Sequence, residues 1–184
     1  MAQRKIGLVI GSLRRESFNR RLAQAMTRLA PEAVALQELE IAGLPLYDQD
    51  DDDDQAAAVK RLKADIAGCD GLLFVTPEYN RSIPGVLKNA IDHASRPYGQ
   101  SAWAGKPAGI LGVSIGAIGT ALAQAHLRHV LAYLDVPTLG QPEAYIQAKD
   151  SLFDDDGNIG PDSRGFLQDW MDSYIEWVDR FARR

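Results

Sequence analysis

Short apolar runs without polar alternation constrain this chain most. They occupy residues 6–12 (IGLVIGS), 71–77 (GLLFVTP) and 107–114 (PAGILGVS), with a more mixed fourth run at 34–41 (VALQELEI). A strand that is apolar on both sides must be covered on both sides, which is the condition inside a parallel sheet. Segments of helical period lie between these runs. Leu22, Met26 and Leu29 fall at i, i+4 and i+7, and Val59, Leu62 and Ile66 form a second stripe. Residues 84–95 open with Pro84 near a first helical turn, where its missing N–H costs little. Residues 120–135 read as a fourth helix. Residues 165–184 read as a fifth, with Phe166, Trp170, Tyr174, Trp177 and Phe181 on one face. A last, weakly marked strand falls within 137–147.

Strand alternating with helix over the whole length predicts an α/β fold wound on both faces of a sheet. Five strands and five helices in 184 residues suit a three-layer, flavodoxin-like arrangement, a five-stranded parallel sheet in the order 2-1-3-4-5. With no internal repeat and no linker, residues 1–184 are expected to form a single domain. A formal net charge of −5 argues against a nucleic-acid binder and against an anionic membrane as partner. The basic start followed by residues 6–12 raises a signal peptide, but arginines interrupt the apolar run and no small-residue cleavage site follows. Cys69 is the sole cysteine, so neither an internal disulfide nor a CxxC site can form. A cytoplasmic protein is the expectation.

Several conspicuous groups are read as structural. The aspartates of 48–54 are expected to be a solvated loop near a helix start. FDDDGNIG at 153–160 resembles a calcium loop, yet aligning Gly157 to the sixth position puts Leu152 at the first ligand position and leaves no Glu at the twelfth. A tight turn is expected there instead. His126 and His129 have no evident third ligand, so no metal is assigned, and His93 and Cys69 are assigned to packing.

The residues that can carry chemistry follow the first, third and fourth strands. In an open parallel sheet, ligands bind beyond the carboxyl ends of the strands. The order 2-1-3-4-5 makes these three strands neighbours, so their loops converge. GSLRRESFN (11–19) offers hydroxyls from Ser12 and Ser17, the Asn19 amide, the Arg14 guanidinium and a helix starting near Phe18. That set suits a terminal phosphate. It has neither a Gly-Lys-Ser/Thr loop nor GxGxxG, so triphosphate and pyrophosphate are disfavoured. The lesser alternative is that Ser17 or Asn19 simply caps the helix, with the arginines on the surface. The second loop, Pro77-Glu78-Tyr79-Asn80, offers backbone groups for the edge of a planar ring and flat faces from Pro77 and Tyr79. The third, Gly112-Val113-Ser114-Ile115-Gly116, matches the G-x-S-x-G elbow of serine hydrolases. No Asp or Glu lies between Ser114 and the histidines, and no histidine follows residue 129, so the triad order fails. The glycines then read as room for a ligand to approach the backbone, with Ser114 as a donor.

On GSLRRESFN, TPEYNRSIPGVLKNAIDHASRP and GVSIGAIGT, the chain closely resembles the flavodoxin-like NADPH-dependent FMN reductase family, which includes bacterial quinone and chromate reductases. The resemblance runs from residue 5 to about 180. It implies bound FMN, with Ser12, Arg14, Ser17, Phe18 and Asn19 at the 5′-phosphate. Pro77, Glu78, Tyr79 and Asn80 would lie along the ring and ribityl side, and Ser114 and Gly116 at the pyrimidine side. It further implies ping-pong transfer of two electrons as hydride, from NADPH or NADH to a small-molecule acceptor. Quinones, chromate, azo and nitro compounds and free flavin are all candidates, and no residue selects among them or between the nicotinamides. Arg14 and Arg81 are candidates for a 2′-phosphate. No side chain is assigned as an acid or base. A homodimer or homotetramer is implied, with Arg128 and Glu143 bridging subunits. The alternatives are an FMN electron carrier without nicotinamide turnover and, more remotely, a Ser114 hydrolase.

Overall fold

In the computed structural model, which describes residues 3–182, the chain alternates as expected. It runs β1 (Arg4–Ile10), α1 (Phe18–Leu29), β2 (Val34–Glu38), α2 (Ala57–Ala67), β3 (Gly71–Val75) and α3 (Gly85–Ala94). It continues through β4 (Ala108–Ser114), α4 (Ala121–Tyr133), β5 (Ala144–Gln147) and α5 (Pro161–Ala182). All strands pair in parallel, in the order β2-β1-β3-β4-β5.

The continuous apolar runs are explained by two cores separated by the sheet. Ile6, Leu8 and Ile10 of β1, Leu73 and Val75 of β3, and Leu111 and Val113 of β4 pack with Leu22 and Met26 of α1 and Trp170 and Tyr174 of α5. The alternate residues Val9, Leu72, Phe74 and Ile110 pack with Leu62 and Ile66 of α2, Leu87 and Ile91 of α3, and Leu127 and Leu131 of α4. β1, β3 and β4 therefore each feed both faces, while the edge strands β2 and β5 contribute to the first core alone. At about 1.5–3 kcal/mol per fully buried large apolar side chain, these two layers are the main force holding the sheet.

Two local expectations shift. The buried stripe of α5 is Leu167, Trp170, Met171, Tyr174 and Val178, while Phe166 is 47% exposed and Trp177 is only partly buried. The large aromatics had suggested a stripe turned slightly around the helix; the ends of the expected helix, Arg183 and Arg184, lie outside the described residues. Pro84 stands at the N-cap of α3, beside the first turn as expected. Residues 49–54 form a short 3₁₀ turn with no buried residue, in which the Asp48 carboxylate accepts from the Asp50 N–H at 3.1 Å.

Residues 153–159 close as a tight turn: Phe153 and Ile159 form an antiparallel bridge, and Asp154 Oδ1 accepts from the N–H groups of Asp156 (3.0 Å) and Asn158 (2.7 Å). Asp154 is thus occupied by its own backbone.

Candidate functional site

β1, β3 and β4 are neighbours, so the loops leaving Ile10, Val75 and Ser114 open on one rim. The first two begin level with one another, because Gly11 N–H donates to Val75 O at 2.9 Å, while β4 lies beside Val75 at Leu111 and runs on to Ser114 before its loop begins.

The first loop ends in α1, whose N-cap is Ser17. Its hydroxyl oxygen accepts from the Arg20 N–H at 3.4 Å, and the Ser12 oxygen accepts from the Arg14 N–H at 3.3 Å. Both serines are nearly buried, 4% and 2% exposed, and each keeps an O–H to donate. The first turn of α1 contains no acidic residue, so its free N–H groups and positive dipole end are uncompensated. The arginines divide by their partners. Arg20 is paired with Glu38 at 2.8 Å, and Arg21 lies over the Phe153 ring at 4.4 Å. Arg14 makes no ion pair among the described residues, and its guanidinium carbon stands 6.0 Å from the Phe18 ring centroid. A free guanidinium, two hydroxyl donors and a helix N-terminus are the donor set of a phosphate site.

Asn19 departs from the expectation. Its Nδ2–H donates to Val113 O at 2.8 Å and its Oδ1 accepts from Val113 N–H at 2.9 Å, with the side chain buried. The amide fastens α1 to β4, so only the backbone N–H of Asn19 remains for an anion.

The second loop is a four-residue turn closed by reciprocal bonds. Tyr79 N–H donates to Ser82 O and Ser82 N–H to Tyr79 O, both at 3.0 Å. Asn80 (φ 51°) and Arg81 (φ 64°) both take left-handed backbone, the conformation of a type I′ turn. Tyr79 is 49% exposed and Asn80 is exposed. Two expectations change here. Pro77 is buried, so its ring offers no face at the rim. The Glu78 carboxylate turns away to α4, accepting from the N–H groups of Leu122 (3.0 Å) and Ala123 (3.1 Å). Sequence reasoning could not see this, because the helix start it serves lies 44 residues away.

The third loop separates its glycines. A Cβ at Gly112 would lie 2.1 Å from Thr76 O and 2.4 Å from Thr120 Oγ1, so this glycine serves internal packing rather than ligand approach. A Cβ at Gly116 would meet only Ser114 Oγ, at 3.7 Å; the backbone there is open. Ser114 Oγ accepts from the Gly116 N–H at 3.2 Å. Among the described residues no base is hydrogen-bonded to it: His126 Nδ1 is 3.0 Å from Ser82 Oγ, and His93 Nε2 is 2.9 Å from Pro45 O. Ile115, Ile118 and Leu13, exposed by 76%, 45% and 50%, also stand on the rim loops. Sequence reasoning passed over their exposure, although apolar residues flanking glycines beyond a strand end were the available signal. Exposed apolar side chains around an open backbone suit a flat ring, whose hydrogen-bonding edge meets amides while its faces meet carbon.

These loops fit a monophosphorylated planar cofactor, with phosphate donors on the β1–α1 loop and an open, apolar region on the other two. The model of the NADPH-dependent FMN reductase family matches residues 4–150. A 2-hydroxy-1,4-benzoquinone reductase of a Burkholderia species is 57% identical over 175 residues, 95% of this chain and 96% of that one. A quinone reductase of Pseudomonas putida is 50% identical over 174 residues, covering 94% of each. Among solved structures, FerB, a flavoenzyme NAD(P)H:(acceptor) oxidoreductase of Paracoccus denitrificans, superposes with a TM-score of 0.93 at 41% identity, covering 97% of this chain and 98% of that one. The chain belongs to the NADPH-dependent FMN reductase family.

Proposed function

We propose that this protein is an FMN-dependent NAD(P)H oxidoreductase that reduces quinones or related small acceptors. The observation that carries the reading is the combination of Arg14 on the loop before α1, without an ion pair among the described residues, and an open Gly116 on another loop of the same rim. The Ser12 and Ser17 hydroxyls, the Arg14 guanidinium and the first N–H groups of α1, at Phe18 and Asn19, would hold the phosphate. Tyr79, Asn80, Ser114, Ile115 and Gly116 would border the ring. When bound, FMN supplies reversible two-electron chemistry between a nicotinamide and an acceptor. The chain's own part is to bind, orient and supply positive donors near negative charge; no side chain is needed as acid or base. Exposed Tyr79 and Ile115 leave an open approach, which suits donor and acceptor using the site in turn.

The reading extends to a cytoplasmic homodimer or homotetramer. Supporting it, no helix among the described residues is long and apolar enough to cross a membrane. Arg128 donates to Leu139 O at 2.6 Å, and its Nε is buried without a partner. A subunit contact at Arg128 and Glu143 would engage the outer N–H groups of the guanidinium, since the buried Nε is out of a neighbour's reach, and sedimentation of wild type against Arg128→Ala tests it.

The decisive experiment follows the visible spectrum of the purified protein and its steady-state oxidation of NADPH with 1,4-benzoquinone. A yellow protein bleached by NADPH and turning over with quinone is expected. Flavin absorption without nicotinamide turnover would favour an electron carrier, and failure to take up FMN at micromolar concentration would overturn the reading.

A further inference from the structure

α4 begins without a cap of its own. Thr120, at its N-cap position, makes no side-chain cap bond, because its Oγ1 accepts from Gln124 Nε2 at 2.9 Å. The first turn of α4 carries no acidic residue. Glu78 supplies what is missing, with Oε2 accepting from Leu122 and Ala123 N–H. A carboxylate at a helix N-terminus meets both the orphan donors and the positive dipole end. Its side chain is only 8% exposed, and Oε1 lies 3.5 Å from Arg81 Nη1. One turn further along α4, His126 Nδ1 lies 3.0 Å from Ser82 Oγ. The turn 79–82 is thus seated on α4 at two points, Glu78 on one side and Ser82 on the other. Within it, Asn80 and Arg81 hold left-handed backbone, which for a residue such as Arg persists only when its surroundings impose it.

We propose that Glu78 is a positioning residue, whose carboxylate fixes the distance between the β3–α3 turn and the β4–α4 loop and so sets the gap in which the flavin ring sits. The inference rests on the FMN reading. It assigns Glu78 no contact with the cofactor; its effect passes through Tyr79–Asn80 on one side and Ile115–Gly116 on the other. The phosphate end, built on β1 and α1, does not depend on it.

The test compares wild type, Glu78→Gln and Glu78→Ala. In the cofactor-free proteins, amide exchange is measured at Leu122 and Ala123, first-turn positions that an uncapped helix leaves unprotected. Affinities for FMN and for riboflavin, which lacks the phosphate, are then measured by fluorescence quenching. Wild type should protect both amides and Glu78→Ala should lose that protection. Glu78→Gln, which still offers an acceptor oxygen, should retain part of it. In Glu78→Ala both flavins should bind more weakly by the same factor, about five- to tenfold, and Glu78→Gln should recover part of that loss. Unchanged exchange would overturn the proposal. So would lost protection with unchanged riboflavin binding, or weakening confined to FMN. If wild type binds neither flavin the functional reading falls and takes the ring-spacing role with it. The exchange measurement would then show separately whether Glu78 caps α4.

Discussion

Asn19 and Val113 are joined at both ends of one amide: Nδ2–H donates to the Val113 carbonyl at 2.8 Å and Oδ1 accepts from the Val113 N–H at 2.9 Å. The pair joins the first turn of α1 to the last part of β4 across 94 positions of sequence. Replacing Asn19 by Ala leaves a buried donor and acceptor without partners, which costs about 1–3 kcal/mol. Urea unfolding of the cofactor-free Asn19→Ala protein should show that loss. A midpoint equal to wild type would mean the two groups are satisfied in other ways.

Arg14 gives a contrasting case, a charged side chain with no ion pair among the described residues. Arg14→Ala should leave unfolding almost unchanged and weaken FMN on the order of tenfold to a hundredfold, the value of one charge-assisted contact of about 1.5–3 kcal/mol. Riboflavin binding should not change. Titrating both ligands against both proteins checks this, and equal losses for the two ligands would remove Arg14 from the phosphate.

The two ends of the Gly112–Gly116 motif should respond differently to alanine. At Gly112 the added carbon would meet the Thr76 carbonyl oxygen and the Thr120 hydroxyl well inside contact distance, so the variant should unfold at lower temperature or fail to fold. At Gly116 the nearest atom is 3.7 Å away, so Gly116→Ala should keep its melting temperature within a few degrees while flavin affinity falls. Melting curves of the cofactor-free variants separate the cases; equal behaviour would show that the rim is packed alike at both glycines.

Alkali should destabilise the fold through its tyrosines. Tyr174 is fully buried, donates its O–H to Leu72 O at 2.8 Å, and is held well above the usual phenol pKa of 10.0, chiefly by burial. Tyr145 is pushed up to about 12, by burial first and then by its hydrogen bond to Glu143. In both, the folded state keeps a proton that the unfolded chain releases near pH 10, so stability is intact below that pH and declines above it. For Tyr174 the slope should approach about 1.4 kcal/mol per pH unit. Tyr145 is 39% exposed and adds a smaller, solvent-screened share between about 10 and about 12. Unfolding free energies at a series of pH values from 8 to about 11.5 should fall more steeply for wild type than for Tyr174→Phe. Parallel curves would count against the buried phenol as the cause.

The sheet order and the convergence of three loops were legible because both follow from one-dimensional patterns. Apolar runs such as 71–77 mark buried strands, and the residues beyond each run are necessarily at the rim. The destinations of individual polar side chains were not legible. Asn19 and Glu78 were read as ligand contacts because each is polar and lies beside a strand end. In the structure each satisfies backbone groups of a distant segment, and nothing in the local sequence specifies which one. Gly112 was misread for a similar reason: its crowding comes from Thr76 and Thr120, on other segments of the rim. In α5 the expected stripe gave weight to Phe166, whereas Leu167 and Met171 are the residues that reach the core. Aromatic size was a poorer guide than position around the helix.

The Asn19 and Glu78 crosslinks have an implication for how a guest molecule is received. Loops that are free to wander must be frozen when something binds, and that ordering subtracts from affinity. Here hydrogen bonds from Asn19 and Glu78 brace the rim side to side in the chain alone, so a guest at the proposed site would meet a socket rather than a jaw. Entry and departure should then be governed by contact with the walls, with little time spent waiting for the chain to rearrange.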